Sequence, residues 1–334
     1  MKIMKTKLTT IILLSLLLIC CKKDDSIKTS DKVQSNLTIS SIAQSYLSEV
    51  LNIMESNSIF SSTIDWAFLK NEVFKTVATA QTINDTYPGI RKALTLLGDN
   101  HSHYITPSGG IIYVFDGPSV STEDIAIPVI PEDVGYVKVS SFAGQSNDAS
   151  AIAFANQIQN QIERQDHVEL KGWIVDLRNN SGGNMWPMLA GIGPILGEGV
   201  AGYFIFPSGS EISWAFQNGA SEYAGYPVTK LEKSYKLLVP NPKVGVLLNS
   251  GVASSGEAIA ISFIGRDNTK SFGSATRGLS TANTTFVLSD NAILNLTTAY
   301  MADRNRKIYG VPVYPDITSS VETIIYDVIT WIQD

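Results

Sequence analysis

Apolar residues recur along this chain at two different periods, and the change falls near residue 109. Over residues 39–59 they stand at Ile42, Tyr46, Leu47, Val50, Leu51 and Met54, spacings of three and four that predict one face of a helix. Thr63 and Asp65 then offer N-cap oxygens ahead of Trp66, Phe68, Leu69, Val73, Phe74 and Val77, a second amphipathic helix. A third pattern begins near Asp85 and Pro88 and stops at Gly98, with Ile90, Ala93, Leu94 and Leu97 inward. A helical domain is therefore expected over residues 38–108.

Beyond it the runs are short. Residues 111–115, 125–130, 136–139, 173–177, 203–206 and 244–248 are strand-like and bounded by Gly, Pro, Asn or Ser. Helical patterns at 149–164, 185–196, 255–265 and 321–332 lie between or after them. That alternation predicts an α/β sheet with helices packed on it, over residues 109–334. No repeat of fixed period interrupts it.

The first residues belong to neither pattern. Lys2, Lys5 and Lys7 precede an apolar run that ends at Ile19 and is broken by Thr10 and Ser15. The run is about half the ~20 residues that a bilayer-spanning helix needs, so it reads as a signal peptide. Cys20, Cys21, Lys22, Lys23, Asp24 and Asp25 follow at once, an ending that resembles a bacterial lipoprotein signal. Cys21 is the residue expected to carry lipid, because a small residue precedes it and Leu18 stands three before. Residues 1–20 would be the signal and residues 21–37 a polar tether, holding the protein by a lipid anchor to a membrane of the bacterial cell envelope, facing periplasm or exterior. Both cysteines of the chain fall here, which removes thiol chemistry and disulfides from the folded part.

Composition narrows the possibilities. With 334 residues, 44% hydrophobic and 17% charged, the chain has the apolar material for a buried core, which excludes a mainly disordered or collagen-like protein. Lys and Arg number 25 against 31 Asp and Glu, a formal net charge of −6. Nucleic acid is not an expected partner, since a phosphate backbone needs a clustered basic surface.

Candidate chemistry sits in three segments, none of them a zincin HExxH, a phosphate-binding GxxxxGK[ST], a GxGxxG or a GxSxG elbow. Asp99-Asn100-His101-Ser102-His103 places two imidazoles in a loop after a helix. Asp176-Leu177-Arg178-Asn179-Asn180-Ser181-Gly182-Gly183 runs from a strand into a glycine-bearing turn. Ala253-Ser254-Ser255-Gly256-Glu257 sits where a strand hands over to a helix N-terminus, a place where free N–H groups and the helix dipole favour a developing anion. A serine there becomes a nucleophile when a base takes its proton. Glycine lets a second backbone N–H approach the same point, as a tetrahedral oxyanion requires. Read singly, Ser254 and Ser255 are helix caps, Gly182 and Gly183 a tight turn, and His101 and His103 a surface pair or a weak zinc motif lacking a third ligand.

Together the segments resemble the C-terminal processing (tail-specific) serine peptidase family and its tricorn-core relatives. The resemblance rests on Asp99 to Ser102, Asp176 to Gly183, Ala253 to Glu257 and Gly310 to Ile317, in the family's order, and spans about residues 38–330. It implies a crotonase/Clp-protease-like ββα superhelix behind the helical domain, no cofactor, and a peptide or unfolded protein as substrate. Residue by residue it implies Ser254 as nucleophile, with Ser255 and Gly182 supplying the oxyanion N–H groups. Where the processing branch has a basic Lys, this chain has Leu279. Arg277 is no substitute, since it keeps its proton. The base expected here is therefore His101, as in the tricorn-like arrangement. That arrangement has a late Glu orienting the imidazole; the stretch Arg306-Lys307-Ile308-Tyr309 has none, leaving Asp303, Glu257 or a hydroxyl for the task. The stretch from Tyr104 to Tyr136 holds only 33 residues, too few for the PDZ domain many relatives insert. The alternative is an inactive relative that binds a peptide or apolar ligand in the same cleft.

Overall fold

Three helices layer together at the front of the chain because each carries a single apolar stripe. α1 (Ser41–Asn57) is capped by Ser40, whose Oγ accepts the Ala43 N–H at 3.2 Å, and turns Tyr46, Leu47, Val50, Leu51 and Met54 inward. α2 (Trp66–Thr76) begins where Asp65 Oδ1 accepts the Phe68 N–H at 2.9 Å. α3 (Tyr87–Leu97) follows a 3-10 turn at Asn84–Thr86 and stops at Gly98, whose φ of +69° closes the helix left-handed. The computed structural model describes residues 38–116 and 129–334. The signal, Cys21 and the tether expected over 1–37 lie outside the described residues, as does most of the strand expected over 125–130.

A short hairpin, β1 (His103–Ile105) and β2 (Ile111–Tyr113), leads into the body. There the order is β3 (Val134–Lys138), α4 (Ala149–Gln165), β4 (Gly172–Asp176), α5 (Met185–Leu196), β5 (Gly199–Ile205), β6 (Glu211–Gln217), β7 (Ala220–Tyr223) and β8 (Tyr226–Lys230). Then come β9 (Lys243–Leu248), α6 (Ser255–Phe263), β10 (Thr269–Gly273), β11 (Thr281–Val287), β12 (Ile293–Asp303), β13 (Ile317–Thr318) and α7 (Ile324–Gln333).

Two sheets result. One is parallel, in the order β13-β10-β9-β4-β3, and its central strands β4 and β9 are almost wholly buried and read as near-continuous apolar runs. The other is antiparallel, β2-β1-β12-β5-β6-β7-β8, with β11 along the remaining side of β12. The front helices bury their stripes against Leu288, Ala292, Leu294 and Leu296, at and before the start of β12. The division expected near residue 108 falls between the paired strands β1 and β2, and Thr38–Asp334 forms one compact unit.

At the end of β4 the parallel sheet buries an ion pair. Asp176 is 1% exposed and Arg178 4%; Arg178 Nε and Nη2 reach the carboxylate at 2.9 and 2.7 Å, and the Tyr136 hydroxyl donates to it at 2.8 Å. Removing one member leaves the other charged and dry. Arg178→Met should lower unfolding free energy by about 3–5 kcal/mol, read from urea midpoints, and should loosen the turn that follows.

Candidate active site

β4 and β9 are adjacent parallel strands, Gly172 facing Lys243 and Asp176 facing Leu247. Their carboxyl ends therefore reach one level, and the turns that leave them touch. Ala253 N–H donates to Asn180 O at 3.0 Å, and Ser255 Oγ donates to Gly183 O at 2.6 Å. A Cβ on Gly182 would sit 2.8 Å from Ser254 Cβ, and one on Gly256 would sit 2.3 Å from Asn180 O. Glycine is required at both positions by this approach alone.

Ser254 is the N-cap of α6, with φ +53° and ψ −119°. That is strained for a residue with a Cβ, and the strain lifts the side chain away from the helix, as in the sharp turns that present a nucleophile. Glu257 holds the turn in place. Its buried carboxylate accepts the Ser254 N–H and the Gly278 N–H, each at 2.9 Å, and the Thr276 hydroxyl. Burial pushes Glu257 up to about 7 against the pull of those donors.

His101 arrives from the opposite side. Asp99 Oδ1 accepts the N–H groups of His101 and Ser102 at 2.9 and 2.7 Å, and Asn100 takes the left-handed conformation that Asn tolerates, at φ 57°. Ser102 Oγ accepts the Thr297 N–H at 2.9 Å, which fastens the loop to β12. The imidazole is thereby fixed with Nε2 2.9 Å from Ser254 Oγ, across 153 residues of sequence, and Nδ1 2.8 Å from Thr281 Oγ1. Burial, with His103 adding to it, pushes His101 down to about 4, so the ring is neutral near pH 7.

The expected site residues meet in part. Ser254, Ser255 and His101 come together, and His103 lines the same cavity with Nε2 3.0 Å from Asn295 Nδ2. Three expectations need correction. Gly182 presses against Ser254, but its N–H donates to Asn180 Oδ1 at 3.0 Å; Gly183 faces the cavity, and its N–H meets no acceptor among the described residues. Glu257 orients the backbone of Ser254 and makes no hydrogen bond to His101 among the described residues. Asp303 closes the turn after β12, accepting the N–H groups of Asn305 and Lys307 and the Tyr309 hydroxyl, and does not reach the imidazole. The residue that does, Thr281, carries no sequence mark of its own.

A cavity of about 770 Å³ opens beside the His101–Ser254 pair. Its far wall is apolar, built from Met185, Trp186, Phe204, Phe206, Tyr223 and Val228, and no carboxylate, Lys or Arg lines it among the described residues. Among those residues no three His, Cys, Asp or Glu side chains gather as a metal site would need.

The family model described as Peptidase family S41 matches residues 133–319, more than half of the chain. The chain belongs to that family. Two of the three site segments, 176–183 and 253–257, fall within the matched residues, and the His101 loop stands ahead of them. It is 29% identical over 282 residues to the nisin-resistance protein of Lactococcus lactis subsp. lactis, covering 83% of each chain. Among solved structures it is similar to a lipoprotein from Streptococcus agalactiae, at 24% identity and TM-score 0.71 over 87% of this chain and 96% of that one. The photosystem II D1 C-terminal processing protease shares 16% identity and a TM-score of 0.54, over the same shares. These likenesses bear out the α/β, crotonase/Clp-protease-like fold class. The chain spans about a third of the length of the bacterial C-terminal processing proteases it also resembles.

The depressed His101 value has a consequence for stability. Its ordinary value is 6.5, so between about 4 and 6.5 the unfolded chain binds a proton that the folded one refuses. Stability from the neutral ring is present above pH 6.5 and is lost as pH falls through 4. His103 and Asp99, on the same loop, are present in both the wild type and His101→Gln. Relative to that variant, the wild type should lose about 3 kcal/mol of unfolding free energy between pH 7 and pH 4, measured by urea titration.

Proposed function

We propose that this S41 protein is a serine peptidase of the cell envelope that cuts peptide bonds through an acyl-enzyme on Ser254, with His101 as general base. The observation that carries this reading is the 2.9 Å approach of a neutral, buried imidazole to the hydroxyl of a serine held at the mouth of a helix. His101 Nε2 takes the hydroxyl proton as Ser254 Oγ attacks the peptide carbonyl carbon. The carbonyl oxygen becomes an oxyanion, which the N–H groups of Ser255 and Gly183 receive; Ser255 is the first helical residue, where an N–H has no carbonyl one turn earlier. The imidazolium returns its proton to the leaving amine, and water resolves the ester by the same steps in reverse roles. The apolar far wall of the cavity supports peptide substrates with bulky apolar residues beside the cut.

Ser254→Ala and His101→Ala should each abolish labelling by a fluorophosphonate and slow hydrolysis of a quenched peptide library by at least about 10³-fold. Nisin is the first defined peptide to offer, since a relative is named for resistance to it. Equal labelling of wild type and Ser254→Ala removes Ser254 as nucleophile. Peptide binding without turnover in the wild type would support the ligand-binding alternative.

The envelope location rests on the lipoprotein-like sequence around Cys21. Cells fed a radioactive fatty acid should label the wild type and not Cys21→Ala, with the label in the membrane fraction.

A further inference from the structure

Resting on the proposed serine–histidine reading, we infer that Thr281 is the positioning residue of the site: its hydroxyl receives the Nδ1 proton of His101 and so keeps the Nε2 lone pair aimed at Ser254.

A neutral imidazole has one N–H and one acceptor nitrogen, and the partner of the first decides which way the second points. Thr281 Oγ1 lies 2.8 Å from Nδ1, and Thr281 is buried. The rings and chains around it leave little freedom. Thr281 is the first residue of β11 and pairs with Tyr300 of β12. The preceding residue, Ser280, donates its hydroxyl to Val311 O at 2.7 Å and accepts the Gly310 N–H at 2.8 Å. Three residues before Thr281, the Gly278 N–H is held by Glu257, the carboxylate that also holds the Ser254 N–H. One buried side chain thus ties the nucleophile and the segment supporting the base to each other.

That segment is the one in which the resemblance implies a basic Lys. Leu279 occupies the place and is buried, so the stretch supplies no base of its own. Two residues later it supplies a hydroxyl to a base brought from elsewhere. The hydroxyl orients without charge: it fixes the tautomer and the ring, and it favours the imidazolium far less than a carboxylate would.

The test uses the full folded protein with ¹⁵N-labelled histidine. At pH 7 the wild type should show His101 protonated on Nδ1. Thr281→Val, which replaces the hydroxyl by a methyl of similar size, should move the proton toward Nε2; Thr281→Ser should keep it on Nδ1. Turnover should follow the tautomer, kcat falling about 10- to 100-fold in Thr281→Val with KM within about twofold, and recovering in Thr281→Ser. Thr281→Asp should raise the acidic limb of kcat/KM by about a pH unit or more beyond any rise in Thr281→Asn, which disturbs the packing equally without adding the charge. Thr281→Val with wild-type tautomer and kcat overturns the inference, as does an unmoved limb in a Thr281→Asp protein that still melts cooperatively. If Ser254→Ala also retains full turnover, the serine reading itself has failed, while the tautomer measurement still decides the role of Thr281.

Discussion

The parallel pairing of β4 with β9 is the constraint on which the site depends. Because the two strands run side by side in the same direction, their carboxyl ends must finish together, and each must then turn into a helix. Two helix N-termini and two tight turns are thereby forced into one small volume, where the N–H groups of Gly183 and Ser255 meet no acceptor among the described residues. Glycine at 182 and 256 removes the side chains that would hold the turns apart. Nothing about this needs a ligand. It is what remains after the sheet has satisfied its own hydrogen bonds.

Charge is nearly absent from the result. Dehydration acts on His101 and Glu257 in opposite directions along the pH scale, and in both it favours the neutral form. His101 contributes most at pH above 6.5. Glu257, raised from 4.5 to about 7, contributes through its protonated form below 4.5 and loses that contribution as pH rises through 7. The three donors around Glu257 moderate its share, since they favour the carboxylate. The site is accordingly held by directed hydrogen bonds rather than by an ion pair, and the nearest buried ion pair, Asp176 with Arg178, stands back at the end of the strand.

Periodicity was enough for the elements that have one face to hide. The stripes of the front helices and the strand–turn–helix crossings over 172–196 and 243–263 follow the sequence patterns closely. β12 escaped because its residues from Leu296 to Ala299 are buried on successive positions, covered on both faces, which erases alternation. The meander β6-β7-β8 did carry a signal: Asn218-Gly219 and Ala224-Gly225 have φ above zero at both residues, the conformation of two-residue hairpin turns. Ser254, Ser255 and His101 were legible through motifs. Thr281 was not, because its meaning lies in a contact across 180 residues that no local pattern encodes. The exchange of Gly182 for Gly183 depends on where one N–H points, a matter settled by the Asn180 side chain.

In the proposed reading the base sits on the loop between α3 and β1, which changes what the front of the molecule is for. A base at position 279 would draw all of its support from the parallel sheet and the segment after α6. His101 instead depends on Asp99 at the end of α3, on Ser102 against Thr297, and on the register of β1 with β12. Each of those is fixed by the core that α1, α2 and α3 share with Leu294 and Leu296. In the proposed mechanism a displacement of about 1 Å in that core is passed to the distance between imidazole and hydroxyl, where such errors are costly. The apolar stripes of the front helices and the acid–base geometry of the site are therefore one packing problem, solved across β12.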